Sequence, residues 1–183
     1  MDLGLREKTI MVAAASRGLG YGIARAAAAE GARLSIGSRT EEEISSAART
    51  LREEYGGEAR GYVLDMKDPH SIARWIDKTM EDFGTIHGVV VNAGGPPPGI
   101  FTDFDDRAWY DAFELTLMSA VRLIRGTLPA LSQQGGSILT VTSISVKEPV
   151  DNLLLSNVMR SGVTSLVKSL SNELAPQGIR VNN

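Results

Sequence analysis

Residues 8–22 read KTIMVAAASRGLGYG, an apolar run that leads through glycines into an alanine-rich segment. The apolar run predicts a buried strand, and the alanine-rich segment predicts a helix that ends at Gly31. Gly18 and Gly20 lie at the turn between the two elements. Glycine there permits a tight turn and lets a phosphate approach the amides at a helix N-terminus. The turn alone is a weak signal, because an ordinary strand–helix connection can carry the same two glycines.

Strand and helix patterns alternate along the rest of the chain. Thr40 and Glu43 predict a capping box at the start of the second helix, and Asp68 with Pro69 predicts the start of the third. The predicted strands are residues 8–15, 33–38, 59–65, 87–93, 136–143 and 178–183, and the predicted helices after the first are 40–55, 69–83, 105–131 and 153–174.

This alternation predicts the fold class. Strands separated by helices form right-handed crossovers, which predicts a doubly wound parallel sheet, a Rossmann-type α/β fold in three layers (α/β/α). The continuous apolar run at residues 89–91 favours a strand that is buried on both faces. We expect residues 1–183 to form a single domain, with ligands bound beyond the carboxyl ends of the strands.

Composition limits the classes of function. The chain of 183 residues is 43% hydrophobic and 22% charged, with a net charge of −3 and no basic block, so we expect no nucleic-acid partner. It has no cysteine, and no cluster of residues has metal-ligand spacing, so we expect no metal site. The charged N-terminus MDLGLREK and the lack of a long apolar run predict a cytoplasmic protein without a membrane partner.

Three later segments support a family resemblance. VVVNAGG (89–95), ILTVTS (138–143) and KSLSNELAPQGIRVN (168–182) follow the glycine turn in order. Together they resemble the short-chain dehydrogenase/reductase family, most closely its 3-oxoacyl-carrier-protein reductase type. The resemblance runs from KTIMVAAASRGLG to GIRVN. It implies an NAD(P)-dependent oxidoreductase acting on a carbonyl or alcohol, and it implies that the C-terminal part of the family fold is absent from these 183 residues.

The resemblance also assigns the cofactor site. In the family, a Thr-Gly-x-x-x-Gly-x-Gly loop wraps the pyrophosphate. Here Ala13 and Ala14 stand at its first two positions, while Gly18 and Gly20 match, and we expect Ala14 to be tolerated if its φ is negative. Asp65 has an alternative role as a turn residue. The residues that the resemblance implies for cofactor binding are Ala14, Ser16, Arg17, Gly18, Leu19, Gly20, Ser38, Arg39, Asp65, Met66, Asn92, Ala93, Gly94 and Arg160.

Charge at the adenosine end favours NADP(H) over NAD(H). Position 37, where an NAD-preferring member often has an acid for the ribose 2′-hydroxyl, is Gly37. Arg17 and Arg39 flank the same region, and arginine forks bind phosphate well. The alternative is that both are solvated surface arginines.

The reacting centre departs from the family pattern. The family uses Asn, Ser, Tyr and Lys, and the matching positions here are Thr116, Ser143, Ser156 and Arg160. A serine hydroxyl is no acid comparable to a phenol with a pKa of about 10, and arginine does not exchange its proton. We expect Ser156 and Arg160 to share a helix face and to point towards Ser143 and the nicotinamide half of the site. The alternative is that Ser156 is the helix N-cap and Arg160 a surface residue.

Three functions therefore stay open at this point. The leading interpretation is an oxidoreductase with an atypical proton-transfer centre. The alternatives are a non-catalytic dinucleotide-binding or scaffold protein that has lost the tyrosine and lysine, and an enzyme that uses the cofactor site for non-redox chemistry. The apolar stripe of the helix at 105–131 is wider than one sheet face can cover, and family members pair this helix and the one at 153–174, so we also expect a homodimer or homotetramer.

Overall fold

A computed structural model of the chain describes residues 3–183 and contains one six-stranded sheet. All paired strands are parallel, in the order β3-β2-β1-β4-β5-β6. The strands are β1 Thr9–Ala13, β2 Arg33–Ser38, β3 Ala59–Val63, β4 Gly88–Val91, β5 Gly136–Thr140 and β6 Ile179–Asn182. The strand order reverses between β1 and β4, so the predicted doubly wound Rossmann-type fold is confirmed.

Helices cover both faces of this sheet. They are α1 Gly18–Ala29, α2 Glu41–Tyr55, α3 Pro69–Phe83, α4 Asp106–Ala112, α5 Ser119–Leu131 and α6 Leu154–Leu174. Two apolar clusters fill the two interlayer spaces, one with Met11, Trp75 and Ile138 and the other with Leu34 and Ile36. All four residues of β4 are buried, as the apolar run at its centre predicted.

Most helix boundaries follow the signals in the sequence. Asp68 caps α3 by accepting a hydrogen bond from the His70 amide at 2.8 Å, and Gly56 ends α2 in the left-handed conformation with φ of 69°. The predicted capping box on α2 is wrong. Thr40 is the N-cap residue but makes no side-chain cap bond, and the Glu43 carboxylate is turned towards the loop after β1 and accepts a hydrogen bond from Ser16 there.

The long helix predicted at 105–131 contains an irregular stretch. Residues Phe113–Met118, between α4 and α5, form a π-helix, in which each turn holds an extra residue. Thr116 lies in this stretch and is buried. The next long helix, α6, has Leu153 as its N-cap. Ser156 is therefore inside the helix, and the alternative that it caps α6 is wrong.

Within residues 3–183, no helix combines the length and apolar character needed to cross a membrane.

Candidate functional site

A cleft of about 360 Å³ opens at the carboxyl edge of the sheet, beside the point where the strand order reverses. The segments after β1, β2, β3 and β4 all contribute to it. Its lining consists of Ala14, Ser16, Arg17, Ser38, Arg39, Thr40, Glu43, Leu64, Asp65, Met66, Lys67, Ala93, Gly94, Gly95 and Leu115. The structure thus brings together most of the residues proposed for the cofactor, from four separate parts of the chain.

The glycine turn is held by close backbone packing. A Cβ atom on Gly20 would lie 2.3 Å from the Ala14 carbonyl oxygen, a separation that real Cβ atoms do not adopt, so this position requires glycine. The Asn92 side-chain amide donates to the same oxygen at 3.4 Å. Gly18 has φ of 61°, which glycine adopts without strain.

Ala14 does not meet the condition under which alanine would be tolerated here. Its φ is 50°, in the left-handed region, and not negative. In this conformation the Ala14 carbonyl oxygen lies against Gly20 and accepts a hydrogen bond from the Asn92 side chain. A residue with a Cβ atom pays about 1–2 kcal/mol for left-handed backbone, so the loop is strained where the family has glycine.

The start of α1 fits an anionic group. Arg17 is its N-cap residue and makes no side-chain cap bond, and the first turn carries no acidic residue. The backbone N–H groups of this turn therefore remain available to a phosphate, which the helix dipole also favours. Ser38 adds a buried hydroxyl that has no hydrogen-bond partner among residues 3–183. These features fit the pyrophosphate and ribose of a dinucleotide.

The end of β2 presents Ser38, not residue 37, to the cleft. A Cβ atom on Gly37 would meet Leu64 at 2.7 Å and Trp75 at 3.3 Å, so a side chain at this position would enter the core. The expectation that position 37 faces the ribose is wrong, because successive strand residues point to opposite faces of the sheet. The glycine at 37 consequently says little about which cofactor binds.

The side chains at the adenosine end carry both signs of charge. Arg39 is exposed at the rim of the cleft. Arg17 is 83% exposed and lies 3.8 Å from the Glu43 carboxylate. Asp65 takes the turn role, since its carboxylate accepts a hydrogen bond from the Lys67 amide at 2.9 Å, and it lines the cleft as well.

Ser156 and Arg160 share one face of α6, as predicted. The Arg160 Nε group donates to the Ser156 hydroxyl at 3.2 Å, and Nη1 donates to the Val141 carbonyl at 3.0 Å. Burial lowers the pKa of Arg160, because a desolvated cation is disfavoured. No carboxylate within the described residues forms an ion pair with this guanidinium. Arg160 is therefore held in place, and the alternative of a plain surface arginine is wrong.

A small cavity of about 20 Å³, lined in part by Arg160, adjoins the cleft at Ala93, which lines both. Asn92 and Thr116 also line it. The Thr116 hydroxyl is buried without a hydrogen-bond partner in the described part of the chain. The structure thus places Thr116 beside Arg160, which the sequence spacing alone could not do.

Ser143 does not line the cavity that holds Arg160 and Thr116. Its hydroxyl accepts a hydrogen bond from the Ser145 amide at 3.1 Å and so caps the short 3-10 helix Ile144–Val146. It lines a different surface depression, together with Lys147 and Asn183. Within residues 3–183 it makes no hydrogen bond to Ser156 or Arg160, so the orientation of these two side chains towards Ser143 stays a prediction.

Sequence reasoning missed several residues of the site. Glu43 was interpreted as half of a capping box, although its position opposite the loop after β1 depends on how α1 and α2 pack. Lys67 and Gly95 directly follow predicted site residues and could have been included on that ground. The Val141 carbonyl, which holds Arg160, leaves no signal in the side-chain pattern.

Comparison with known proteins gives consistent matches. The family model described as enoyl-(acyl carrier protein) reductase matches residues 13–183. The 3-oxoacyl-[acyl-carrier-protein] reductase FabG of Escherichia coli strain K12 is 31% identical over 176 residues, which cover 96% of this chain and 70% of the relative.

Two solved structures match over nearly the whole chain. L-sorbose reductase from Gluconobacter frateurii, complexed with NADPH and L-sorbose, has a TM-score of 0.96 and 30% identity, covering 100% of this chain and 70% of that one. An NADPH-bound short-chain oxidoreductase from Pseudomonas aeruginosa PAO1, described as containing an atypical catalytic center, has a TM-score of 0.92 and 26% identity, covering 97% and 71%. Given these matches, the parallel sheet and the glycine turn, this chain belongs to the short-chain dehydrogenase/reductase family.

Proposed function

We propose that this chain binds NADP(H) in preference to NAD(H) and acts as an oxidoreductase on a small carbonyl compound or alcohol, with an atypical proton-transfer centre. The observation that carries the proposal is the cleft itself, in which the loops after four parallel strands meet at the switch point. NADPH in the two similar solved structures supports the choice of cofactor. A homo-oligomer and a cytoplasmic location are further parts of the proposal.

Each part of the cleft has a group that suits part of the dinucleotide. The amides at the start of α1 would hold the pyrophosphate, and Arg17 and Arg39 would attract a 2′-phosphate. Asp65 and Met66 would face the adenine, and residues 92–94 would pass along its ribose. When bound, the nicotinamide supplies or accepts the hydride, and the remaining steps depend on the residues of this chain.

Arg160 is suited to binding and orientation. Two of its five N–H donors are used within the chain, and the others could hold ribose hydroxyls or polarise a substrate oxygen. It stays protonated at ordinary pH, so it cannot deliver a proton. The Ser156 hydroxyl accepts the Nε–H group of Arg160, which makes it a positioning group. Water would then have to protonate the product, and ordinary ketone reduction should be slow.

The second candidate is a dinucleotide-binding or scaffold protein without catalysis. The observation that favours it is the Ser156–Arg160 hydrogen bond. Ser156 stands at the family's tyrosine position, and its hydroxyl here accepts a hydrogen bond from a side chain of the same helix. Use of the cofactor site for non-redox chemistry is a third candidate with the same binding groups.

Binding and turnover separate these functions. We would titrate NADPH and NADH by fluorescence and then follow NADPH oxidation with acetoacetyl thioesters and simple ketones. NADPH binding with slow oxidation supports the oxidoreductase, and tight binding without turnover supports the non-catalytic protein. Failure of both dinucleotides to bind would overturn the proposal.

The proposed assembly rests on apolar side chains near α4 and α6. Tyr110 is 69% exposed and Val158 is 46% exposed, and Trp109, Phe113 and Met159 line a depression between the two helices. Packing of these faces against a second copy would bury them. Light scattering at micromolar concentration should give a dimer or tetramer, and a monomer would contradict this part.

A further inference from the structure

One acidic side chain in the cleft has no role in the function proposed above. Glu43 lies in the first turn of α2, where a negative charge suits the helix dipole and needs no other reason. Its carboxylate nevertheless reaches across to the loop after β1. There it accepts a hydrogen bond from the Ser16 hydroxyl at 3.2 Å and lies 3.8 Å from Nη1 of Arg17. These contacts join residues that are 26 or 27 positions apart in the chain.

Glu43 also lines the same end of the cleft as both arginines. Ser16, Arg17, Ser38, Arg39 and Thr40 surround it there. The adenosine end is therefore not simply basic, since a carboxylate stands among the groups that would meet a 2′-phosphate. Residue 37 faces the core, so an acid that influences this position has to come from another segment, and Glu43 lines the cleft beside Arg17.

The two cofactors would meet this carboxylate differently. A phosphate monoester carries nearly two negative charges at neutral pH, so Glu43 would repel the 2′-phosphate and would compete with it for Arg17. NAD(H) has a neutral 2′-hydroxyl at this point, which a carboxylate does not repel and can accept a hydrogen bond from.

We propose that Glu43 is a specificity-determining residue, which weakens the preference for NADP(H) by holding Arg17 and by opposing the 2′-phosphate. This inference rests on the proposed dinucleotide site and adds to it the residue that limits its selectivity. The chain should accordingly bind NADPH only modestly better than NADH, although two arginines flank the cleft.

The test variant is Glu43→Gln, which removes the charge and keeps an oxygen that can accept the Ser16 hydrogen bond. Glu41→Gln is the matched control, since it removes the same charge from the same helix turn and Glu41 does not line the cleft. The ligands are NADPH and NADH, together with 2′,5′-ADP and 5′-AMP, which carry the adenosine end without the nicotinamide.

We expect Glu43→Gln to lower the dissociation constants of NADPH and 2′,5′-ADP by about three- to fivefold, the size of effect usual for exposed charge pairs. The dissociation constants of NADH and 5′-AMP should change less than twofold. The gain should shrink as salt is raised, because salt screens exposed charges. In an Arg17→Gln background the gain should be smaller but should persist, because the repulsion between Glu43 and the 2′-phosphate does not need Arg17. Glu41→Gln should change no affinity by more than twofold.

Three results would overturn the inference. They are an unchanged or weaker NADPH affinity in Glu43→Gln, an equal change for NADPH and NADH, and a gain that Glu41→Gln reproduces. If the wild type bound neither dinucleotide, the proposed function itself would be wrong. Wild-type binding is therefore measured before that of any variant.

Discussion

The two ends of the proposed site, the cleft and the adjoining cavity at Arg160, are built from different chemical groups. The adenosine end consists of backbone amides and exposed charges, with Arg17 83% exposed and Glu43 beside it. The reaction end consists of a half-buried guanidinium and hydroxyl groups, in which Arg160 is fixed by Ser156 and by the Val141 carbonyl. On the proposed function, the first end selects the ligand, whereas the second, within residues 3–183, offers no group that exchanges a proton near neutral pH. The proposal therefore treats binding and chemistry as separate properties, each of which can be changed alone.

The largest effect should come from restoring a phenol and an ammonium at the reaction end. The double variant Ser156→Tyr/Arg160→Lys should raise kcat for ketone reduction by up to about 10²–10⁴-fold, which is the usual contribution of general acid catalysis. Steady-state NADPH oxidation with acetoacetyl thioesters measures it.

The single variant Arg160→Lys is the control for this experiment. It supplies no phenol and should leave kcat close to that of the wild type. Wild-type turnover at the rate of a typical enzyme, about 10 s⁻¹, would contradict the idea that the missing tyrosine limits the chemistry.

The next effect concerns binding alone. In Gly20→Ala the new methyl group would lie 2.3 Å from the Ala14 carbonyl oxygen, so the glycine turn must shift. We expect the NADPH dissociation constant to rise by about 10- to 100-fold, in line with the usual cost of overpacking. Gly22→Ala is the matched control, because nothing lies within 4 Å of its new methyl group. Equal affinities of the two variants in a fluorescence titration would show that the turn does not hold the cofactor.

A smaller effect should follow from changing the rim of the adenosine end. Arg39→Ala should weaken NADPH binding by about fivefold and leave NADH binding within twofold, because the side chain is exposed and its charge is screened. Parallel titrations of both cofactors measure it. An unchanged ratio of NADPH to NADH affinity would show that Arg39 does not bind the 2′-phosphate, and Arg17 would then be the remaining candidate.

How far the sequence predicted these two ends depends on the kind of interaction. Strands and helix boundaries followed from local signals such as the Asp68 cap and the glycine at 56, since those signals act over a few residues. The segments that line the cleft followed from the strand order and the family resemblance. The contacts between these segments did not follow from the sequence. The Glu43 carboxylate accepts a hydrogen bond from Ser16 and does not bond to its own helix N-terminus, and this contact depends on the packing of α2 beside the loop after β1. Ser143 was assigned from the family resemblance at the end of the fifth predicted strand, and the hydrogen bond that its hydroxyl accepts from the Ser145 amide is a local contact that the resemblance does not predict.

The smallest expected effect concerns the strain at Ala14. Its φ of 50° is costly for alanine and free of strain for glycine, so Ala14→Gly should stabilise the folded chain. Relief of about 1–2 kcal/mol is offset by the larger chain entropy of glycine when unfolded, about 0.5–1 kcal/mol, which leaves a net gain of up to about 1.5 kcal/mol.

Urea unfolding of Ala14→Gly would measure this gain. Ala15→Gly is the control, because Ala15 is fully buried and its φ is not positive, so glycine there should destabilise the chain. A loss of stability in both variants would mean that the loop is not strained at Ala14. A gain in stability without any change in kcat would strengthen the contrast between the ends, since it would show that the binding loop can be improved while the reaction end stays slow.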